Sequence, residues 1–318
     1  MIDSATNYDI CAINIQMSNT DTFLDAYSEC RLCPRNCGVN RLVDSKGGAG
    51  IPLQTNKLGY CKESSELRIA SASLHMGEEP PVTGRRGSGT VFLTGCGLGC
   101  LFCQNWDISH AGVGRIYSEK ELVDTFLNLQ KAGAENINLV TPTHAAPALA
   151  SCIIAAKKKG LSIPVLWNSS AYENVETLSM LEGLIDIWLP DLKTLDSSIS
   201  DKYFNAPDYP QAAEKAILYM LKNSELRFNS KGVIQSGVII RHLALPGHMD
   251  SSRQVLQWFA ENAKGKAMFS LMTQYRPIQR NISKYCPGRH ISHEESADLK
   301  KWLEEFQIKD GFFQGRAL

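Results

Sequence analysis

Cys96-Gly97-Leu98-Gly99-Cys100-Leu101-Phe102-Cys103 follows a short apolar run, residues 90–94, and spaces three thiols as C-x3-C-x2-C. A [4Fe-4S] cluster usually takes four thiolates, so a loop that supplies three leaves one iron open for a small-molecule ligand. Gly95 and the two glycines inside the loop allow a turn tight enough for three side chains to converge. The alternatives are a zinc site, for which His110 is the nearest fourth ligand, or cysteines buried for packing. The spacing and the preceding strand-like run favour the cluster.

The same loop resembles the C-x3-C-x-aromatic-C signature of the radical S-adenosylmethionine (SAM) enzymes. In that family the open iron binds the amino and carboxylate groups of SAM. An electron from the cluster then cleaves SAM to methionine and a 5′-deoxyadenosyl radical, which abstracts hydrogen from a substrate. The resemblance implies that Cys96, Cys100 and Cys103 bind the cluster, that Phe102 lies beside the open iron, and that a reductant such as flavodoxin or ferredoxin supplies electrons.

The composition narrows the possible partners and the cellular location. The 318 residues contain 33 Lys+Arg and 33 Asp+Glu, so overall charge favours neither nucleic acid nor an anionic membrane as the main partner. Residues 1–29 lack the apolar core of a signal peptide, and no run is long enough to span a membrane. We therefore expect a cytoplasmic protein whose clustered cysteines bind metal rather than form disulfides. The scattered Cys11, Cys152 and Cys286 are expected to be ordinary free thiols.

Apolar runs alternate with helical patterns along the chain, which predicts βα units and a parallel sheet. The fold class expected from this order and from the family resemblance is α/β, a partial (β/α)6 barrel with the cluster at the carboxyl ends of its strands. We expect an extension at residues 1–29, a small cysteine-rich metal-binding module at 30–65 and the barrel at 66–318. The six predicted strands are Thr90 to Gly95, Asn136 to Thr141, Ile163 to Trp167, Ile185 to Pro190, Gly237 to Leu245 and Ala267 to Thr273.

Helix starts are indicated by capping boxes, in which a Ser side chain and the Glu or Gln three residues later cap each other's backbone N–H groups. The sequence contains three such pairs: Ser118 with Glu121, Ser251 with Gln254, and Ser292 with Glu295. We therefore predict helices beginning at these three serines.

Residues just beyond parallel strands converge on the ligand in α/β folds, so the predicted strand ends are candidate site positions. The second strand ends at Thr141 and is followed by His144. Many radical SAM enzymes carry Gly-Gly-Glu here to hold the SAM amino group, and this chain lacks it. Thr141 could accept from that ammonium group. His144 could donate a proton, contact substrate, or cap the next helix.

The third and fourth strands deliver Asn168 and the segment Asp191-Leu192-Lys193. This segment resembles the Asp-Leu-Lys of pyruvate formate-lyase activating enzymes, where the Asp helps bind a monovalent cation beside the SAM carboxylate and the Lys contacts SAM. The resemblance carries those roles to Asp191 and Lys193. Asn168 stands where those enzymes have an Asp, so the resemblance does not extend to the whole cation site. The alternative for Asp191 and Lys193 is a surface ion pair.

The fifth and sixth strands add further polar residues. Arg241 and His242 interrupt an apolar strand, and only one of two neighbouring side chains can point inward. Resemblance to the activating enzymes favours Arg241 toward SAM. By the same resemblance Tyr275 matches a position beside the SAM adenine, and Arg276 could face the substrate. An acidic pair, Glu78-Glu79, precedes the cluster loop and could contact substrate or the SAM ribose, or belong to a solvated loop.

A second cysteine group lies near the amino terminus: Cys30, Cys33 and Cys37 are followed by Cys61. Four thiols satisfy either tetrahedral zinc or a fully ligated [4Fe-4S] cluster. The segment contains too little apolar sequence to fold alone, so we expect a bound metal to hold it together. Zinc is slightly favoured because a structural role needs no redox partner.

Taken together, residues 30 to 295 are similar to uncharacterised iron–sulfur proteins classed as pyruvate formate-lyase-activating-enzyme-like. This resemblance implies an enzyme that abstracts hydrogen, with a glycine Cα–H of a glycyl-radical enzyme as the leading target. Modification of another protein, a peptide or a small metabolite is the second hypothesis. A non-catalytic zinc or iron–sulfur protein is the third, because fold likeness does not determine function.

Overall fold

The computed structural model describes residues 21–42, 58–278, 283–313 and 316–318. Within them the strands are β1 (Leu67–His75), β2 (Ser88–Leu93), β3 (Arg115–Tyr117), β4 (Ile137–Val140), β5 (Val165–Ser169), β6 (Ile187–Pro190), β7 (Arg227–Phe228), β8 (Ile234–Leu243), β9 (Met268–Met272), β10 (Gly311–Phe313) and β11 (Arg316–Ala317). The α-helices are α1 (Asp21–Leu24), α2 (Pro80–Thr83), α3 (Trp106–Ser109), α4 (Glu119–Lys131), α5 (Ala146–Lys158), α6 (Val175–Ser179), α7 (Ser197–Phe204), α8 (Tyr209–Lys222), α9 (Met249–Asn262) and α10 (His293–Glu305).

One sheet organises the chain, in the order β11-β10-β9-β8-β6-β5-β4-β2-β1-β3, with β7 paired to β8. The seven strands from β2 to β10 along this order are mutually parallel. Strands β1, β3 and β11 are antiparallel additions at the two sides. This open parallel sheet is that of a partial barrel, so the predicted fold class is confirmed. Each of the six predicted strands corresponds to an observed one, whereas β1, β3, β7, β10 and β11 were not predicted.

Side-chain alternation separates the outer core from the interior of the barrel. On β4, Ile137 and Leu139 pack into the main core with the helices, whereas Val140 lines an internal cavity. On β8, Ile240 belongs to the main core and Arg241 lines that same cavity. Both faces of a parallel sheet are covered, so a polar side chain that points into the barrel is buried unless a ligand site opens beside it. Arg241, near the end of β8, lies beside such an opening.

Two of the three predicted capping boxes are present. Ser118 and Glu121 cap α4, and Ser292 and Glu295 cap α10, with both reciprocal hydrogen bonds in each case. The third prediction was wrong, because α9 already begins at Met249. Ser251 lies in its first turn, where its hydroxyl makes a 2.7 Å hydrogen bond with Thr194 Oγ1 instead.

The amino-terminal segment packs directly against the barrel. Thr177 Oγ1 donates to Leu32 O at 2.9 Å, and Asn174 Nδ2 donates to Arg31 O at 2.7 Å. Arg41 is only 2% exposed, and its Nη1 donates to the carbonyl of His144 at 2.9 Å. The predicted boundary at residue 65 stays a prediction, and Cys11 lies outside the described residues. None of the helices in the described ranges is long and apolar enough to cross a membrane.

A buried carboxylate joins the ends of β4 and β5. Glu173 is 2% exposed and accepts from Thr143 Oγ1 at 2.9 Å, Trp167 Nε1 at 2.7 Å and Ser169 Oγ at 2.6 Å. Burial raises the pKa of this carboxyl, although its three donors oppose the shift. The side chain thus connects the residues after β4 to the end of β5, at the edge of the sheet where a ligand would bind.

Replacing Glu173 by Ala should lower the free energy of unfolding by about 3 kcal/mol, because three buried donors lose their acceptor. Urea denaturation monitored by circular dichroism would measure it. Glu176→Ala is the matched control, since this side chain is exposed one turn later, and it should change stability by less than about 0.5 kcal/mol. Equal effects of the two substitutions would contradict the role assigned to Glu173.

Candidate active site

A cavity of about 450 Å³ opens at the carboxyl ends of the parallel strands. The carboxyl-terminal parts of β2, β4, β5 and β8, together with the loops after β2, β4, β5 and β6, contribute most of its wall. Nine residues predicted from the sequence line it: Cys96, Cys100, Phe102, Cys103, Thr141, Asn168, Asp191, Lys193 and Arg241. The structure therefore brings together three thiols and the polar residues of four different strand ends, which are up to 145 positions apart in the chain.

The three thiols of the cluster loop are free and converge on this cavity. Gly95 and Gly99 have φ of 86° and 69°, a region that favours glycine. The loop is held from outside, because the backbone N–H of Leu101 donates to Tyr203 O at 2.9 Å. Burial raises the pKa of the Cys103 thiol, while the Ser109 hydroxyl, 3.3 Å from its sulfur, opposes the shift.

Phe102 lies at the border of the cavity and packs edge-on against three other aromatic rings. Its centroid is 5.7 Å from that of Tyr203 and 5.9 Å from those of Phe204 and Tyr275. Tyr275 is thus placed behind Phe102 and does not line the cavity; its hydroxyl donates to Pro287 O at 2.9 Å. The arrangement makes an apolar wall beside the thiols, and the role predicted for Tyr275 beside the SAM adenine stays a prediction.

Arg241 is the centre of a network of charged and polar side chains. Its Nε donates to Asp191 Oδ1 at 2.7 Å, its Nη1 to Glu78 Oε2 at 3.2 Å and its Nη2 to Asn168 Oδ1 at 2.5 Å. Lys193 Nζ donates to the other Asp191 oxygen at 2.9 Å. Burial opposes ionisation of Asp191, but the two cations outweigh it and hold its pKa below the usual range. Asp191 is therefore an anion shared by two cations.

His242, the neighbour of Arg241, faces the opposite side of the sheet. Its Nδ1 is 2.8 Å from Leu192 O and its Nε2 is 2.9 Å from the hydroxyl of Ser252 on α9. Burial lowers the pKa of His242 to about 4. It is a neutral core histidine, whereas Arg241 is the one of the pair that lines the cavity.

Two further side chains, Tyr209 and Glu78, complete the site. Tyr209, at the start of α8, donates its hydroxyl to Asp191 O at 2.7 Å and accepts from the Lys193 N–H at 2.9 Å. Glu78 lines the cavity and accepts from Asn138 Nδ2 at 3.0 Å as well as from Arg241. The sequence leaves two alternatives for Glu78-Glu79, contact with a ligand or a solvated loop; Glu78 lines the cavity, which disfavours the solvated loop for this residue. No local pattern indicates Tyr209.

Thr141 adopts an uncommon backbone conformation at the cavity wall. Its φ is 58°, a region that β-branched residues rarely enter. Its N–H donates to Asn168 O at 2.9 Å, which ties the end of β4 to β5. Such strain costs of order 1–3 kcal/mol and is concentrated at ligand-binding positions in proteins.

Two further predicted residues lie away from this cavity. Arg276 is exposed and does not line it. His144 is 5% exposed and faces the amino-terminal cysteines instead. Burial, reinforced by Arg41, lowers the pKa of His144 to about 3, and its Nδ1 has no hydrogen-bond partner. Neither residue is among those that line the cavity at the cluster loop.

The amino-terminal thiols form a second group around a much smaller cavity of about 10 Å³. Cys30 accepts from Arg41 Nη1 at 3.4 Å and Cys37 from the Tyr60 N–H at 3.3 Å. Burial raises the pKa of Cys33 to about 12 and also that of Cys61, and a backbone hydrogen bond opposes each shift. All four sulfurs are thus approached by an N–H group, as is common for metal-bound thiolates.

The described residues contain no set of three or more His, Cys, Asp or Glu side chains already placed in a geometry that would hold a metal ion. The donor chemistry at the cluster loop nevertheless fits an iron–sulfur cluster. Three free thiols line one cavity, and a hydroxyl contacts one of the sulfurs.

Comparison with known proteins decides the family. The family model of the Radical SAM superfamily matches residues 90–259, more than half of the chain. The chain belongs to the radical SAM superfamily. Members of this superfamily are enzymes, and membership implies a [4Fe-4S] cluster and SAM; Cys96, Cys100 and Cys103 are the residues that would hold the cluster.

Individual relatives of this radical SAM protein are distant. Uncharacterized protein MJ0674 of Methanocaldococcus jannaschii is 27% identical over 291 residues, covering 89% of this chain and 76% of that protein. Streptococcus suis SuiB bound to S-adenosylmethionine is similar in fold, with a TM-score of 0.50 and 15% identity over 69% of this chain and 47% of that one. The chain thus spans about half the length of this solved structure.

The activating-enzyme subtype has weaker support. A domain of pyruvate-formate lyase-activating enzyme from Bacteroides vulgatus aligns with a TM-score of 0.39 and 13% identity, covering 53% of this chain and 90% of that one. This likeness is too low to carry an assignment within the superfamily.

Asp191→Asn should lower the free energy of unfolding by about 3 kcal/mol at pH 7, because two largely buried cations lose their shared anion. The folded-state pKa of Asp191 lies below its unfolded value. Its stabilisation is therefore present above about pH 4 and is lost as the pH falls through the folded pKa. Urea denaturation between pH 3 and 7 would measure this: the free energy of unfolding should fall less on acidification in the variant than in the wild type. The exposed Asp201→Asn is the control, and an unchanged acid dependence in Asp191→Asn would refute the network.

Proposed function

We propose that this radical SAM protein reductively cleaves SAM and uses the product to abstract a hydrogen atom from a substrate. When bound, the [4Fe-4S] cluster supplies the electron that cleaves SAM to methionine and a 5′-deoxyadenosyl radical. The observation that carries the proposal is the convergence of three thiols and an enclosed charge network on one cavity of about 450 Å³. Such a cavity can bind a charged cofactor and exclude water from it.

The charged side chains match the groups that SAM presents. Its carboxylate is an anion, and Lys193 and Arg241 are the cations that line the cavity. Its ammonium is a cation, and Asp191 and Glu78 are carboxylates in the same wall. These two acidic groups are the candidates to replace the absent Gly-Gly-Glu. Tyr209 orients the backbone on both sides of Asp191 and thereby holds this part of the site in place.

The leading substrate class is a glycine Cα–H in a partner glycyl-radical enzyme. Support comes from the Asp191-Leu192-Lys193 segment, which resembles that of the activating enzymes and does line the cavity at both charged positions. Another protein, a peptide or a small metabolite is the second candidate. A one-electron donor of the flavodoxin or ferredoxin type would serve either reaction, since SAM cleavage consumes one electron.

We also propose that Cys30, Cys33, Cys37 and Cys61 bind one zinc ion. Four sulfurs approached by N–H donors support a thiolate site. Zinc is preferred because four thiolates complete its tetrahedral shell and a structural ion needs no redox partner. A second [4Fe-4S] cluster is the alternative.

Anaerobic, dithionite-driven release of 5′-deoxyadenosine from SAM tests the principal proposal. The reconstituted protein should release it, Cys103→Ala should not, and Cys152→Ala should behave as the wild type because this thiol lies in α5, outside the cavity lining. Release that persists in Cys103→Ala would contradict the cluster assignment. Failure of a cluster-loaded wild type to bind SAM by calorimetry would contradict the proposed activity.

Elemental analysis of the purified full-length protein tests the second metal. The wild type should contain about one zinc per chain. Cys37→Ala should lose that zinc and keep its iron, whereas Cys103→Ala should lose iron and keep zinc. Iron at about eight per chain in the wild type, halved in Cys37→Ala, would show a second cluster instead.

A further inference from the structure

Arg35 belongs to the amino-terminal module, residues 30–42 and 58–65, but its guanidinium reaches the cluster loop. Its Nε donates to Gly97 O at 3.0 Å and its Nη2 donates to Leu98 O at 3.0 Å. The same group donates to Phe204 O at 2.7 Å and to Asn205 O, at the carboxyl end of α7. One side chain therefore connects the module, the cluster loop and the helix end against which that loop is hydrogen-bonded.

The guanidinium is held in this position by packing. Its carbon lies 3.7 Å from the ring centroid of Tyr60 and 5.4 Å from that of Tyr172. Arg35 also lies in sequence between Cys33 and Cys37. Stacking of this kind reduces the freedom of a long side chain and fixes the plane of its donors.

The glycines of the cluster loop are the points where the module approaches it. A Cβ added at Gly95 would lie 2.4 Å from Glu63 Cγ. One added at Gly97 would lie 3.2 Å from Cys33 Sγ, and one at Gly99 would lie 3.0 Å from Tyr60 Cε1. All three neighbours belong to the module. The glycines therefore permit close contact between the two cysteine segments, beyond allowing a tight turn.

We infer that Arg35 is a positioning residue for the radical SAM cluster: it holds the backbone of the cluster loop so that Cys96, Cys100 and Cys103 converge. The planar fork of an arginine can reach several carbonyls at once, which the single ammonium of a lysine cannot do in the same geometry. The positive charge also suits the carboxyl end of α7, where carbonyls accumulate negative potential. The inference rests on the proposed function for the identity of the cluster, but the contacts of Arg35 do not depend on it.

Hydrogen exchange of the iron-free, full-length protein tests this role without any activity. Arg35→Gln should speed amide exchange in residues 95–103 by roughly tenfold, since the loop loses the donor that holds its Gly97 and Leu98 carbonyls and therefore opens more often. Arg31→Gln is the matched control: it lies in the same module, is exposed and pairs with Glu29. Exchange in Arg35→Gln that is as slow as in Arg31→Gln would overturn the inference.

Exchange in peptides from the rest of the protein distinguishes a local opening of the cluster loop from a general loss of stability. The acceleration must be confined to the cluster loop and the end of α7, while β4 and β5 exchange as in the wild type. If Arg35→Gln does not fold, Arg35→Lys keeps the charge and should still accelerate exchange in residues 95–103, because one ammonium cannot replace the fork. An Arg35→Lys protein that exchanges like the wild type would overturn the inference.

The electron paramagnetic resonance spectrum of the reduced, reconstituted protein gives the second readout. SAM should change the spectrum of the wild type and of Arg31→Gln, and this change should be reduced or absent in Arg35→Gln. A wild type whose spectrum does not respond to SAM would count against the proposed function alone, because the exchange experiment would still decide the role of Arg35. A full response to SAM in Arg35→Gln would count against the inference.

Discussion

The parallel alignment of seven strands is the constraint on which the candidate site depends. Parallel strands must all begin at one edge of the sheet and end at the other, so the residues that follow them meet at one edge. The cluster loop follows β2, and Asp191 and Arg241 come from two strands that are neighbours in the sheet and far apart in the chain. Helices cover the outer face, which leaves the interior of the partial barrel as the place where polar groups can gather.

The charges inside the barrel are tolerated because they compensate each other. A charge removed from water is costly, and removing one partner of a buried pair leaves the other uncompensated. Asp191 joins Arg241 to Lys193, and Glu78 and Asn168 accept from the two terminal nitrogens of the guanidinium. Because these groups are already oriented, a charged ligand would meet fixed partners in a site of low dielectric, where electrostatic interactions are stronger than in water.

The amino-terminal cysteines are structurally part of the same region. Arg41 is buried between the module and His144, and Arg35 donates to the cluster loop. His144, a candidate for catalysis when only the sequence was considered, borders the small thiol-lined cavity of the module. The module has little apolar sequence of its own and packs against the barrel. The cluster loop in turn is contacted by side chains of the module.

The sequence alone determined the cluster motif, the six central strands and the polar residues at their ends, because these signals are local. A C-x3-C-x2-C spacing, an apolar run and a charge just beyond it can each be recognised within about ten residues. Only the tertiary structure decided which distant groups complete the site. Glu78 meets Arg241 across 163 positions, Arg35 meets Gly97 across 62, and Tyr209 meets Lys193 across 16. The same holds for the placement of Tyr275 behind Phe102 and of His144 beside the thiols of the module. Such contacts follow from how strands and loops pack in space, and no periodicity or spacing along the chain encodes them.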